Sequence, residues 1–157
     1  MRSFESTAHY TLRMGTKRET GLLHGARCTV MVVENDEGLR GMVADFLNQN
    51  GFHVLEAETA DDAAQRLQNG ASVNVVFSDV NIRGEMDGIG LARWLRRNRS
   101  EIKIVLTSGK LQFGAAGLCD GGPIIMKPFR LHTVVTRLLN VCHISLPSAL
   151  VESPRTL

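Results

Sequence analysis

Apolar positions along the chain change their period several times. Thr29–Val33 is an unbroken β-branched apolar run. Leu39, Met42, Val43, Phe46 and Leu47 then fall at helical spacing, and Gly51 follows as a stop. Phe52–Ala57 is a short strand candidate. Thr59 is placed to cap a helix ending near Gly70, with Asp61 and Asp62 in its first turn, where the helix dipole favours acids. Val73–Ser78 is another apolar run, and a helix after Gly88 turns Leu91, Trp94 and Leu95 inward. Ile102–Leu106 and Ile124–Met126 are two further runs. A last helix from Arg130 buries Leu131, Val134, Val135, Leu138 and Cys142. Apolar runs alternating with amphipathic helices predict an α/β fold, a parallel sheet covered on both faces. In such a sheet the functional crevice lies at the carboxyl ends of the strands.

The flanks differ from this body. Residues 1–27 show no sustained period and read as a flexible arm, and 144–157, with two prolines, read as a tail. The 157-residue chain has a formal net charge of +2. Its arm carries five basic and two acidic residues, a net +3, which leaves the body at −1. A near-neutral body argues against nucleic-acid binding. The Arg93, Arg96, Arg97, Arg99 cluster has no interleaved aromatics and reads as a solvated helix end. No apolar run is long enough for a membrane helix, and residues 1–27 lack a secretory h-region, so the expectation is a cytoplasmic protein. Cys28, Cys119 and Cys142 are far apart and odd in number, which reads as reduced, mostly buried thiols. The five histidines show no metal-ligand spacing.

The residues just after each run carry the candidate chemistry. Glu34, Asn35, Asp36 and Glu37 follow the first run, and Asp79 follows the third with Asn81 two residues on. Thr107, Ser108 and Gly109 follow the fourth, and Lys127-Pro128-Phe129 follows the fifth. Clustered acidic oxygens suit a hard cation such as Mg²⁺. A carboxylate is itself a nucleophile for phosphoryl transfer, forming an acyl phosphate. A cation, a lysine and a hydroxyl would stabilise charge on the transferred oxygens.

At these residues the sequence resembles the receiver domain of bacterial two-component response regulators. The matching stretch, about 28–143, contains TVMVVENDEGLRGMVADFL, VVFSDVNIRGEMDGIGLARWLR, IKIVLTSG and IIMKPF. The resemblance implies a doubly wound, flavodoxin-like five-stranded parallel sheet of order 2-1-3-4-5. It implies Asp79 as phosphoacceptor, with Glu34 and Asn35 at the acidic-pair position. Asn81 would offer its backbone carbonyl to Mg²⁺, so the implied metal set is Glu34, Asn35, Asp79 and Asn81. Lys127 would pair with phosphoryl oxygens. Ser108 would be the switch hydroxyl, or Thr107 if the register slips by one. The implied donor is a sensor histidine kinase or a histidine phosphotransfer protein.

Three positions depart from that pattern. Asn35 stands where the family usually has a second acid, which predicts weaker Mg²⁺ binding. GKLQFGAAGLCDGGPIIM is short and glycine-rich, so the helix between the fourth and fifth strands is expected to be truncated or replaced by a loop around 111–119. Ile124 replaces the family's aromatic switch residue, so signalling would run through ordering of segment 109–122. Too few residues follow His143 for an output module, so the expected protein is a stand-alone phosphoacceptor acting through a protein target or as a phosphate sink. Two other readings stay open: a phosphorylation-independent docking module, favoured by Asn35 and Ile124, and a Mg²⁺-dependent phosphohydrolase with Asp79 as nucleophile. Asn81 weakens the last, because a carboxamide cannot serve as the general acid. The apolar stripe of the last helix leaves room for a homodimer.

Overall fold

The computed structural model describes residues 28–109 and 123–142. The expected arm, the tail and the shortened helix or loop at 111–119 lie outside the described residues, as does most of the 109–122 segment. Among the described residues five strands and four helices occur in this order: β1 (Thr29–Val33), α1 (Glu37–Gln49), β2 (His53–Ala57), α2 (Ala60–Gln68), β3 (Val75–Asp79), α3 (Gly88–Asn98), β4 (Lys103–Ser108), β5 (Ile124–Met126) and α4 (Leu131–Val141). All strand pairings are parallel, in the order β2-β1-β3-β4-β5. This is the expected doubly wound sheet, with β1 and β3 at its centre.

Strand alternation divides the core between the two faces. Met31, Val33, Val76, Ile104 and Leu106 join Leu67, Leu91 and Leu95 of α2 and α3 on one side. Val30, Val32, Val75, Phe77 and Val105 join Val43, Leu47, Val134 and Leu138 of α1 and α4 on the other. Val30–Val33 of β1 and Val75–Phe77 of β3 are apolar without a break because both faces of the sheet are covered there.

Short polar side chains start three helices. Asp36 Oδ1 accepts from Leu39 N–H at 2.7 Å, Thr59 Oγ1 from Asp62 N–H at 3.0 Å, and Asp87 Oδ1 from Gly90 N–H at 2.6 Å. Each satisfies a backbone donor that the first turn leaves unpaired. Gly51, with φ of 89°, turns the chain out of α1 as expected.

Three expectations need correction. Met42 lies on the predicted apolar stripe of α1 yet is 51% exposed, because the stripe that meets the sheet is narrower than the periodicity suggests. The predicted strands at Phe52, Val73 and Ile102 start one or two residues later, since these residues are buried in the approaches to β2, β3 and β4. Cys28 and Cys142 are joined in a disulfide, not held as separate thiols. The fold lays the end of α4 against the start of β1, with Cα atoms 6.5 Å apart, a span disulfides accept. A separation of 114 residues hides such a pair from any spacing rule. Among the described residues no helix is long and apolar enough to cross a membrane.

Candidate functional site

β1, β3 and β5 end at one edge of the sheet, and that edge gathers the polar residues. Lys127, directly after β5, donates through Nζ to Asp79 Oδ2 at 2.7 Å and to Glu34 Oε2 at 3.4 Å. Asp79 is the last residue of β3 and Glu34 the first after β1. Three chain segments separated by 48 and 93 residues thus meet in one cluster. The Asp79 and Glu34 side chains are 13% and 14% exposed, so both carboxylates are largely removed from solvent but reachable from the rim. Burial alone would lower the Lys127 pKa. The hydrogen bond and charge of Asp79, joined by those of Glu34, outweigh it and hold the ammonium above its ordinary value.

Backbone and helix contacts aim these groups. Arg40 of α1 donates from Nη1 to the Glu34 carbonyl at 2.7 Å and pairs through Nε with Glu56 of β2 at 3.3 Å. This fixes the turn that carries Glu34. Val80 N–H donates to the Thr107 carbonyl at 2.8 Å, and Lys127 N–H to the Ser108 carbonyl at 2.8 Å. β3, β4 and β5 therefore stay paired up to the residues that bear the site. Asn81 N–H reaches Asp79 Oδ1 at 3.3 Å, and the Asn81 side chain is exposed.

Thr107 pairs in register with Asp79 and is 2% exposed. It lines a small cavity with Val32, Glu34, Phe77, Asp79 and Phe129. Alternation sets Thr107 on the Val105 side of the sheet and Ser108 on the Leu106 side, where Ser108 is also buried. Asp36 is committed to capping α1. Asn35 lies beside Glu34, but its carboxamide reaches away to Glu58 and Arg83.

Two positioning contacts escaped the sequence reading. Asp61 was read as a dipole-favouring acid of α2, yet its Oδ2 accepts from Glu85 N–H at 3.0 Å and Met86 N–H at 3.4 Å. Arg40 stands within the matched stretch, where its sequence position assigns it no role of its own. Only the spatial neighbours give these residues their roles, and no local pattern encodes them.

Among the described residues no three acids, histidines or cysteines gather into a metal cage. Glu34 and Asp79 nonetheless put two carboxylates on one rim. That suits an ion that keeps several waters and takes few protein ligands.

Two carboxylates and a lysine at the carboxyl edge of a 2-1-3-4-5 sheet define a receiver-type signalling domain. Residues 30–139 match the response regulator receiver domain, and the chain belongs to that family, which serves two-component signalling by accepting phosphoryl groups. It is 32% identical over 130 residues to protein PetR of Rhodobacter capsulatus, covering 82% of this chain and 54% of that protein. It is 35% identical over 112 residues to the sensor kinase CckA of Brucella abortus, covering 69% of this chain and 12% of the kinase. The response regulator receiver protein CpdR of the same organism is 27% identical over 115 residues, with 69% of this chain and 92% of CpdR covered. The chain thus spans about half the length of PetR and a small part of CckA. A receiver protein from Pseudomonas putida superposes with a TM-score of 0.65 at 24% identity, covering 73% of this chain and 97% of that one. One from Sinorhizobium medicae gives 0.66 at 23%, covering 74% and 95%.

Proposed function

We propose that this chain accepts a phosphoryl group on Asp79 from a sensor histidine kinase or a histidine phosphotransfer protein and passes the signal on by protein contacts. The observation that carries this reading is the Lys127 ammonium set between Asp79 at 2.7 Å and Glu34 at 3.4 Å on the crevice edge. The Asp79 carboxylate attacks phosphorus while the donor's P–N bond breaks. A proton on the other ring nitrogen lets the imidazole leave neutral, with the bonding pair, and an acyl phosphate remains. Lys127 moves its hydrogen bond from the carboxylate to a phosphoryl oxygen. Glu34, Asp79 and the Asn81 carbonyl are the groups that would hold Mg²⁺. When bound, that ion would neutralise charge on the phosphoryl oxygens. Ser108 is the hydroxyl expected to follow the phosphoryl group, with Thr107 beside Asp79 as its rival.

Similarity to the response regulator receiver protein CpdR, covered over 92% of its length, supports this reading. The cytoplasm fits a partner kinase that presents phosphohistidine there. Incubation with Mg²⁺ and acetyl phosphate, followed by intact mass measurement, tests the reading. A phosphoryl adduct is expected in the native chain and none in Asp79→Asn. An unlabelled native chain would point to the docking module, and steady turnover of a phosphomonoester to the phosphohydrolase.

A further inference from the structure

The segment after β3 leaves the sheet, so its backbone N–H groups lose their ladder partners and need others. Side chains supply them. Arg83 N–H donates to Asn35 Oδ1 at 2.6 Å, and Glu85 and Met86 N–H donate to Asp61 Oδ2 at 3.0 and 3.4 Å. On its other side the Asn35 carboxamide donates from Nδ2 to the Glu58 carbonyl at 2.8 Å. Asn35 therefore links three loops: its own, the one between β2 and α2, and the one that follows the phosphoacceptor strand. Gly84 marks how closely the last loop is drawn in. Its φ is 136°, and a Cβ there would lie 2.5 Å from Asp61 Oδ2.

The two partners of Asn35 demand opposite chemistry. An N–H needs an acceptor and a carbonyl needs a donor, so only a carboxamide of this length serves both. An aspartate would keep the Arg83 contact but turn its second oxygen against the Glu58 carbonyl, pairing two acceptors. The asparagine at the acidic-pair position is thus matched to a structural task.

We propose that Asn35 is a positioning residue whose carboxamide straps the loop after Asp79 to the loop after β2, setting the Asp79 site before any cation or phosphoryl donor binds. The proposal rests on Asp79 being the phosphoacceptor, but its first test does not. In metal-free buffer without a donor, amide hydrogen exchange is measured by NMR on the full chain. Asn35→Ala is expected to speed exchange at Arg83 about tenfold, the effect of losing one hydrogen bond of ordinary strength, while the Met31 and Val32 amides stay unchanged. Unaltered exchange at Arg83 overturns the strap.

The second test follows acetyl phosphate labelling across a Mg²⁺ titration. Asn35→Ala is expected to lower the maximal rate about tenfold even at saturating Mg²⁺, a loss of alignment that more cation does not restore. Asn35→Asp is expected to reach half-maximal labelling at lower Mg²⁺, because it adds charge, without exceeding the native maximum. A maximum in Asn35→Ala equal to the native one overturns the positioning role. So does an Asn35→Asp variant that surpasses the native maximum, which would make residue 35 a cation ligand and nothing more. Failure of the receiver reading itself would appear separately, as a native chain that takes no adduct or as an adduct that persists in Asp79→Asn, and the exchange test at Arg83 stands in either case.

Discussion

Gly88→Ala is expected to destabilise the domain by about 3 kcal/mol, at the upper end of what overpacking costs. Gly88 is the first residue of α3 and is buried. A Cβ built on it would collide with the Asp79 carbonyl oxygen and sit 2.9 Å from Val80 Cα and 3.0 Å from the Asp79 carbonyl carbon. All three are backbone atoms, so no side chain can swing aside. The helix also hangs from this point, because Gly88 N–H donates to the Val80 carbonyl at 3.0 Å. Relief requires α3 to lift from the end of β3, and Leu91 and Leu95, which are fully buried, would lift with it. For an ordered region of this size the melting temperature should fall by about 14 °C. Gly41→Ala makes the control. It lies mid-helix in α1, and a Cβ there meets nothing within 4 Å. That substitution should stabilise by about 0.5–1 kcal/mol through the lost flexibility of the unfolded chain. Urea unfolding of both variants checks the pair, and a Gly88→Ala midpoint close to the native one would refute the close-approach argument.

The contrast between these two glycines shows where a sequence is informative. Both stand inside or at the head of a predicted helix, and composition treats them alike. What distinguishes them is the distance to another segment. The parallel sheet was legible in Thr29–Val33, Val73–Ser78 and Ile102–Leu106, because a run buried on both faces carries its own signature in β-branched residues; the strand order came only with the family resemblance. Asp79, Glu34 and Lys127 were readable because each ends its strand or directly follows it, so the register of the sheet alone brings them to one edge. Asp61 and Asn35 were not readable in the same way. Their hydrogen bonds run to backbone groups 24 and 48 residues away, which no periodicity records. The Cys28–Cys142 pair was missed for the same reason. Met42 failed in the opposite direction: helical spacing marks an apolar stripe but does not say how much of it the sheet can cover.

Lys127→Ala is expected to slow labelling of Asp79 by acetyl phosphate about 100-fold, the order expected when one preorganised donor to a developing anion is lost. In the native chain the ammonium holds Asp79 Oδ2 at 2.7 Å and Glu34 Oε2 at 3.4 Å, and no other cation is bonded to either side chain among the described residues. Its removal leaves two largely buried carboxylates facing each other without the ammonium that bridges them. The native chain also carries a pH effect at the alkaline end. Asp79 and Glu34 raise the Lys127 pKa above its ordinary value despite burial, so the contribution of this contact is complete below about pH 10 and is lost as pH rises through the folded pKa. Urea midpoints measured from pH 5 to pH 11 for both chains would show the native curve falling at the alkaline end and the variant curve flat there. Lys127→Arg should keep the charge and much of the stability but recover only part of the rate, because a planar fork cannot replace a compact ammonium between two carboxylates. Equal labelling rates in native and Lys127→Ala chains would remove the lysine from the chemistry and leave it a purely structural clamp.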